Sequence, residues 1–129
     1  MAKLERFEDL EAWKIARELA NDIFTLSSAG EISKDFSLKD QMRRSSGSIM
    51  DNIAEGFGRG GNKEFIRFLF ISKGSISELQ SQLYRALDRG YLSKEEFNST
   101  YKKADRIAKI VHGLIKYLKN SELRGKKYS

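Results

Sequence analysis

The chain has 129 residues, with 24 basic and 18 acidic side chains for a formal net charge of +6, and it contains neither cysteine nor proline. One domain of this length buries roughly two-thirds of its unfolded surface. The lack of cysteine excludes a disulfide framework and thiolate metal sites and agrees with a reducing compartment. The N-terminus has no apolar signal core and no apolar run approaches the roughly 18 residues of a membrane helix, so a cytoplasmic, mostly helical protein without membrane contact or cofactor is expected.

The apolar residues recur with a helical period throughout. A first helix is expected over residues 9–27, capped by Asp9. Leu10, Trp13, Ala20 and Phe24 share one side of it, and Ala12, Ile15, Ala16, Leu19, Ile23 and Leu26 share nearly the opposite side. Ser27-Ser28-Ala29-Gly30 breaks it, and residues 27–36 read as a loop. A second helix is expected over residues 37–58, opened by the S-x-x-D signal of Ser37 and Asp40, with Leu38, Met42, Ile49, Ile53 and Phe57 as its core stripe. Beside that stripe Gln41, Ser45, Ser48, Asn52, Glu55 and Arg59 repeat at the spacing of a helix seam, yet are small or polar.

Asn62 is expected to cap a third helix over residues 62–89. Phe65, Phe68, Leu69, Ser72, Ile76, Leu79, Leu83, Ala86 and Leu87 form its core face. Ile66, Phe70, Lys73, Ser77, Gln80 and Tyr84 lie about 100° round the axis. Gly47 and Gly74, each among serines in mid-helix, point to a close approach of the second and third helices. Gly90 supplies a left-handed residue, and Ser93 with Glu96 forms a capping box for a fourth helix over residues 94–119. Phe97, Tyr101, Ala104, Ala108, Val111, Ile115 and Leu118 are its core face, and residues 120–129 form a basic tail.

Four such helices joined by short loops predict an all-α, antiparallel up-down four-helix bundle, a single domain over residues 1–129. Each helix of an isolated bundle needs one apolar stripe, so the second stripes on the first and third helices argue for a homo-oligomer. The alternative is one wide stripe turned toward two neighbours of the same bundle.

Gly56-Phe57-Gly58-Arg59-Gly60-Gly61 satisfies G-x-G-x-x-G, but it ends a helix instead of following a strand, which excludes the dinucleotide fingerprint. The glycine turn, the start of the third helix, and Arg59, Lys63 and Arg67 make a candidate anion site; a plain helix connection is the alternative. Arg44, Ser48, Asn52, Glu55 and Arg59 read as an interface network that sets register, with Ile66, Phe70 and Tyr84 as its apolar part. A second acid or a histidine placed to make Glu55 catalytic is lacking, and the chain reads as a non-enzyme. Arg106 and His112 have a spacing similar to that of HEPN ribonucleases, but the polar residue that usually follows that arginine is absent here.

Residues 1–100 carry 15 basic and 16 acidic groups and residues 101–129 carry 9 and 2, so the excess charge is C-terminal. Lys102, Arg106, Lys109, Gly113 and Lys116 step by 4, 3, 4 and 3 along the outward side of the last helix. They make a basic rail about 21 Å long, offset by Asp105 alone and extended by Lys126 and Lys127. The rail is the expected contact for RNA or DNA, through phosphates and without sequence preference. An adaptor for an acidic protein partner is one alternative, and a HEPN-like ribonuclease dependent on His112 is a second, weaker one.

Several stretches carry a family resemblance: Gln41-Met42-Arg43-Arg44, Ser48-Ile49, Asn52 to Arg59, Lys63-Glu64-Phe65, Arg67-Phe68-Leu69, Gly74-Ser75, Glu78-Leu79 and Gly90-Tyr91-Leu92, with Phe7 to Leu10 and Trp13. Over residues 7–118 the chain resembles the "four helix bundle protein" family, ribosomal-protein-like chains some of which are encoded by intervening sequences inside large-subunit ribosomal RNA genes. Family members commonly have proline after the Ser-Ile pair, where this chain has Met50. The resemblance implies an antiparallel bundle assembled as a ring-shaped homopentamer. It also implies kinship with the accessory subunits of diversity-generating retroelements, basic pentamers whose partners are nucleic acid and a reverse transcriptase.

Overall fold

The computed structural model describes residues 4–123. Its helices are α1 (Glu11–Ser27), α2 (Phe36–Gly58), α3 (Asn62–Asp88) and α4 (Lys94–Leu123), with short 3-10 turns at Phe7–Asp9 and Glu31–Lys34. Among the described residues there is no strand. Each helix packs on its two neighbours around a square, α2 on α3 most extensively. Cross-bundle contacts set the directions. Arg85 reaches Gln41 and Ser75 meets Ser48, so α2 and α3 run antiparallel. Asn62 bonds Leu118 while Tyr84 stacks on Phe97, which makes α3 and α4 antiparallel as well.

The expected core faces are the observed ones. Leu19, Ile23, Leu38, Met42, Ile49, Ile53, Leu69, Ile76, Leu79 and Leu83 are fully buried, and Ile107 joins them from α4, where the sequence pattern had placed Ala108. Ile32 is 1% exposed, so the segment read as a loop contributes to the core through its 3-10 turn.

Several helix starts differ from expectation. Asp9 turns back to accept from the amides of Glu5 and Arg6 at 3.0 and 3.1 Å, and Leu10 occupies the N-cap of α1 without a side-chain bond. The cap of α2 is Asp35, whose carboxylate accepts from the Leu38 amide at 3.2 Å; Ser37 lies inside the helix and accepts from Gln41. Asp35 also accepts from Tyr91 Oη at 2.9 Å and Arg89 at 2.8 Å. The Leu38 amide, followed by the Tyr91 hydroxyl, holds the Asp35 carboxyl below its ordinary range. Gly61, not Asn62, caps α3. Two readings hold as expected: Gly90 has φ +76°, and Ser93 and Glu96 close their reciprocal box at 2.9 and 3.0 Å.

Gly47 and Gly74 do not make the close approach read from the sequence, since a Cβ on either would meet nothing within 4 Å. Helices α2 and α3 meet instead at serines, with Ser48 Oγ 2.8 Å from Ser75 Oγ and Ser72 donating to the Ile49 carbonyl at 2.9 Å. The close approach falls at Gly56, where a Cβ would stand 2.7 Å from Phe68 Cβ.

Candidate nucleic-acid interface

Burial of Ala104, Ile107, Val111, Ile115 and Leu118 fixes the rotation of α4. That rotation leaves Lys102, Arg106, Lys109, Gly113 and Lys116 exposed on the outer side, within an arc of about 80° at 100° per residue. The packing against α1 then changes the charge balance read from the sequence. Arg106 Nη2 lies 3.0 Å from Glu11 Oε2, and Lys109 Nζ lies 3.8 Å from Asp105. Next to the rail, Lys103 meets Asp22 at 2.7 Å and Glu18 at 3.5 Å; the bond from Asp22 outweighs burial and raises the ammonium pKa. Contrary to the expectation from the sequence, Asp105 is therefore not the rail's sole counter-charge, because Glu11 of α1 reaches Arg106 from 95 residues away in sequence. Lys102 and Lys116 form no ion pair among the described residues. Lys126 and Lys127 lie outside the described residues.

In the candidate anion site two of the three cations are already engaged by acids of their own helices. Arg59 pairs with Glu55 at 2.7 Å and Arg67 with Glu64 at 3.2 Å, and the two guanidiniums lie 5.0 and 4.6 Å from the Phe68 ring centre. Lys63 is exposed and takes no part in these pairs. Two of the three cations thus already have counter-ions and a shared aromatic face.

The α2 seam divides. Ser48 and Asn52 join an internal network, Asn52 Nδ2 donating to the Ser48 carbonyl and hydroxyl at 2.9 Å. Glu55 and Arg59 pair along the helix with side chains about half exposed, 51% and 47%. Arg44 pairs with Asp40 at 2.8 Å instead of approaching Glu55. The second stripe of α3 is partly covered by α4 within the one chain: Ile66 is half-buried and Tyr84 stacks on Phe97 and Tyr101 at 4.9 and 5.6 Å. Phe70 stays 47% exposed between the ammonium groups of Lys73 and Lys119. Phe36 at 72%, Tyr117 at 58%, Phe24 at 57% and Tyr84, despite its stacking, at 49% are the other large exposed rings among the described residues.

Arg106 is held by Glu11, and exposed His112 stands about 120° round α4 from it, so the two do not face a common point. Among the described residues no cluster of three or more metal-ligating side chains occurs, and no helix is long and apolar enough to cross a membrane.

A family model for the 23S rRNA-intervening sequence protein matches residues 8–113, the whole bundle apart from the end of α4. The chain belongs to that family. The 23S rRNA-intervening sequence fold seen here also occurs in the crystal structure, at 1.70 Å resolution, of a protein of unknown function from the S23 ribosomal protein family of Bacteroides thetaiotaomicron. That structure superposes with a TM-score of 0.74 at 24% identity, covering 81% of this chain and 98% of the other. No protein with a curated description matches the chain.

Two features of this family member were not legible in the sequence. Lys103 finds its acids only through the α1–α4 contact, and Gln82, 7% exposed, stands among apolar core residues in the α3 pattern without a spacing that marks it.

Proposed function

We propose that this chain is a non-enzymatic scaffold that self-associates and binds RNA or DNA through phosphates, using the outward face of α4. The observation that carries the reading is the row Lys102, Lys109 and Lys116, exposed on one side of a single helix with Asp105 as the acid of that helix beside it. A row about 21 Å long spans several phosphates of either nucleic acid, and its charge makes binding weaken with salt. Arg106 contributes less than its position suggests, because Glu11 already engages it. The exposed rings of Phe36, Phe70 and Tyr117 support self-association, since a soluble chain gains by covering them. Five copies in a ring is the arrangement the family resemblance favours.

Filter-binding titrations with mixed RNA and DNA at low salt test this reading. Retention is expected, and the Lys102→Gln, Lys109→Gln, Lys116→Gln triple variant should lower the slope of log affinity against log salt by about 0.9 per charge removed on duplex, about 0.7 on single strands. Absence of retention by the wild type, or an unchanged slope in the variant, refutes the nucleic-acid part. A monomeric mass in light scattering refutes the self-association.

A further inference from the structure

Among the described residues, Phe70 is the one large exposed ring with two ammonium groups against it, Lys73 Nζ at 5.8 Å and Lys119 Nζ at 5.4 Å from its centre. The ring is 47% exposed. Exposed cation–ring contacts of this length are weak, and both lysines end flexible stems that can swing to another partner. Neither lysine forms an ion pair among the described residues. The nearest acids of α3 stand off this face, since Glu64 pairs with Arg67 at 3.2 Å and Glu78 lines a groove toward α2 with Arg44 and Ser48. On α4, Asp105 lies 3.8 Å from Lys109. The patch is therefore cationic around an open ring.

It also continues the α4 row. Lys119 follows Lys116 by three residues, which carries it about 4.5 Å along the helix and about 60° round it, and its reach to Phe70 shows that the turn is toward α3. On α3, exposed Lys63 lies about 20° round from Phe70 and about 10 Å back along the axis, with uncharged Gly74, Ser77 and Ser81 on the same face beyond the ring. A chain of phosphates following the row thus meets the ring.

A second copy of this chain that covered Phe70 would also take two ammonium groups out of water, which costs heavily without acids to meet them. Phe36 and Tyr117, which lack that pair of lysines, remain for self-association. A nucleic-acid strand supplies both complements at once: a base with a π face for the ring, and phosphates on either side for the lysines. Duplex bases are already stacked on one another and do not reach an exposed side chain.

We propose that Phe70 is a stacking platform for an unpaired base of single-stranded RNA or DNA, with Lys73 and Lys119 on the flanking phosphates. The proposal rests on the nucleic-acid reading above and narrows it to strands with unpaired bases as the preferred ligand.

Fluorescence anisotropy of the full chain at low salt tests it with three DNA probes of equal length, about 12 nucleotides: an oligothymidylate strand, an abasic strand and a duplex. Phe70→Leu should weaken thymidylate binding at least about fivefold, the lower end of what one stacked base contributes, and leave the abasic and duplex probes bound as by the wild type. Phe70→Trp keeps an aromatic face and should bind thymidylate as the wild type does. Lys73→Gln with Lys119→Gln should lower the salt slope on thymidylate by about 0.7 per charge removed. Equal losses on all three probes, or none on thymidylate, overturn the stacking and leave the α4 row standing. Wild-type binding to none of the probes overturns both readings. A lower mass of Phe70→Leu in light scattering would assign the ring to a contact between copies and likewise overturn the proposal.

Discussion

Gly56 and Gly74 are the same residue in the interiors of two adjacent helices, yet they do different things. A Cβ at position 56 would lie 2.7 Å from Phe68 Cβ, 3.1 Å from a Phe65 ring carbon and 3.3 Å from the Phe65 carbonyl, atoms of the next helix that cannot swing away. Gly56→Ala should therefore destabilise the chain by about 1–3 kcal/mol, the usual range for overpacking. At positions 47 and 74 a Cβ meets nothing within 4 Å. Gly47→Ala and Gly74→Ala should each stabilise by about 0.5–1 kcal/mol through the ordinary cost of glycine in a helix. Urea denaturation of the three variants checks both signs, and a destabilising Gly74→Ala would show that something outside the single chain packs there. Composition around a glycine does not report its orientation: Gly47 and Gly74 sit among serines and looked like the contact, while Gly56 sits in a turn-like run that looked like a helix end.

Helix ends show how far local chemistry reaches. The start of α4 was readable because Ser93 and Glu96, three residues apart, satisfy each other's neighbours and need no partner elsewhere. The starts of α2 and α3 were not. Asp35 displaces Ser37 as the cap of α2 because Arg89 and Tyr91, from the connection at the far end of α3, fasten it in place. Asn62 forgoes capping because its amide reaches the Leu118 carbonyl at 3.1 Å, 56 residues away, and ties the beginning of α3 to the end of α4. Asn62→Ala should loosen that end. Amide exchange at residues 119–123 should accelerate by about three- to tenfold, matching a net hydrogen-bond contribution of about 0.5–1.5 kcal/mol, while exchange in the first turn of α4 stays as in the wild type. Equal acceleration at both ends of α4 would instead mean that the whole bundle is destabilised.

On the scale of the whole molecule, the α1–α4 contact decides how cationic the surface is. Glu11 engages Arg106, and Glu18 and Asp22 engage Lys103, so one flank of α4 is balanced while the row of Lys102, Lys109 and Lys116 is much less so. Removing an acid from α1 should therefore act on α4. Glu11→Gln releases Arg106 and is expected to tighten polyanion binding and to steepen its salt dependence by up to about 0.9 in slope on duplex nucleic acid. An unchanged salt slope in filter-binding titrations would show that Arg106 lies off the contact surface.

Helical periodicity, the stripe that becomes the core, the short connections and the C-terminal excess of charge are properties of residues near one another in the chain, and all were visible in the sequence. Which helix end takes which cap, which glycine faces a neighbour, which cations of α4 keep their charge unmatched and which glutamine is left without a partner depend on groups brought together from as few as 9 to as many as 95 positions apart. Those answers came only with the packed bundle, because backbone periodicity is set within a few turns while hydrogen bonding and charge pairing are settled by whatever the tertiary fold places within about 4 Å.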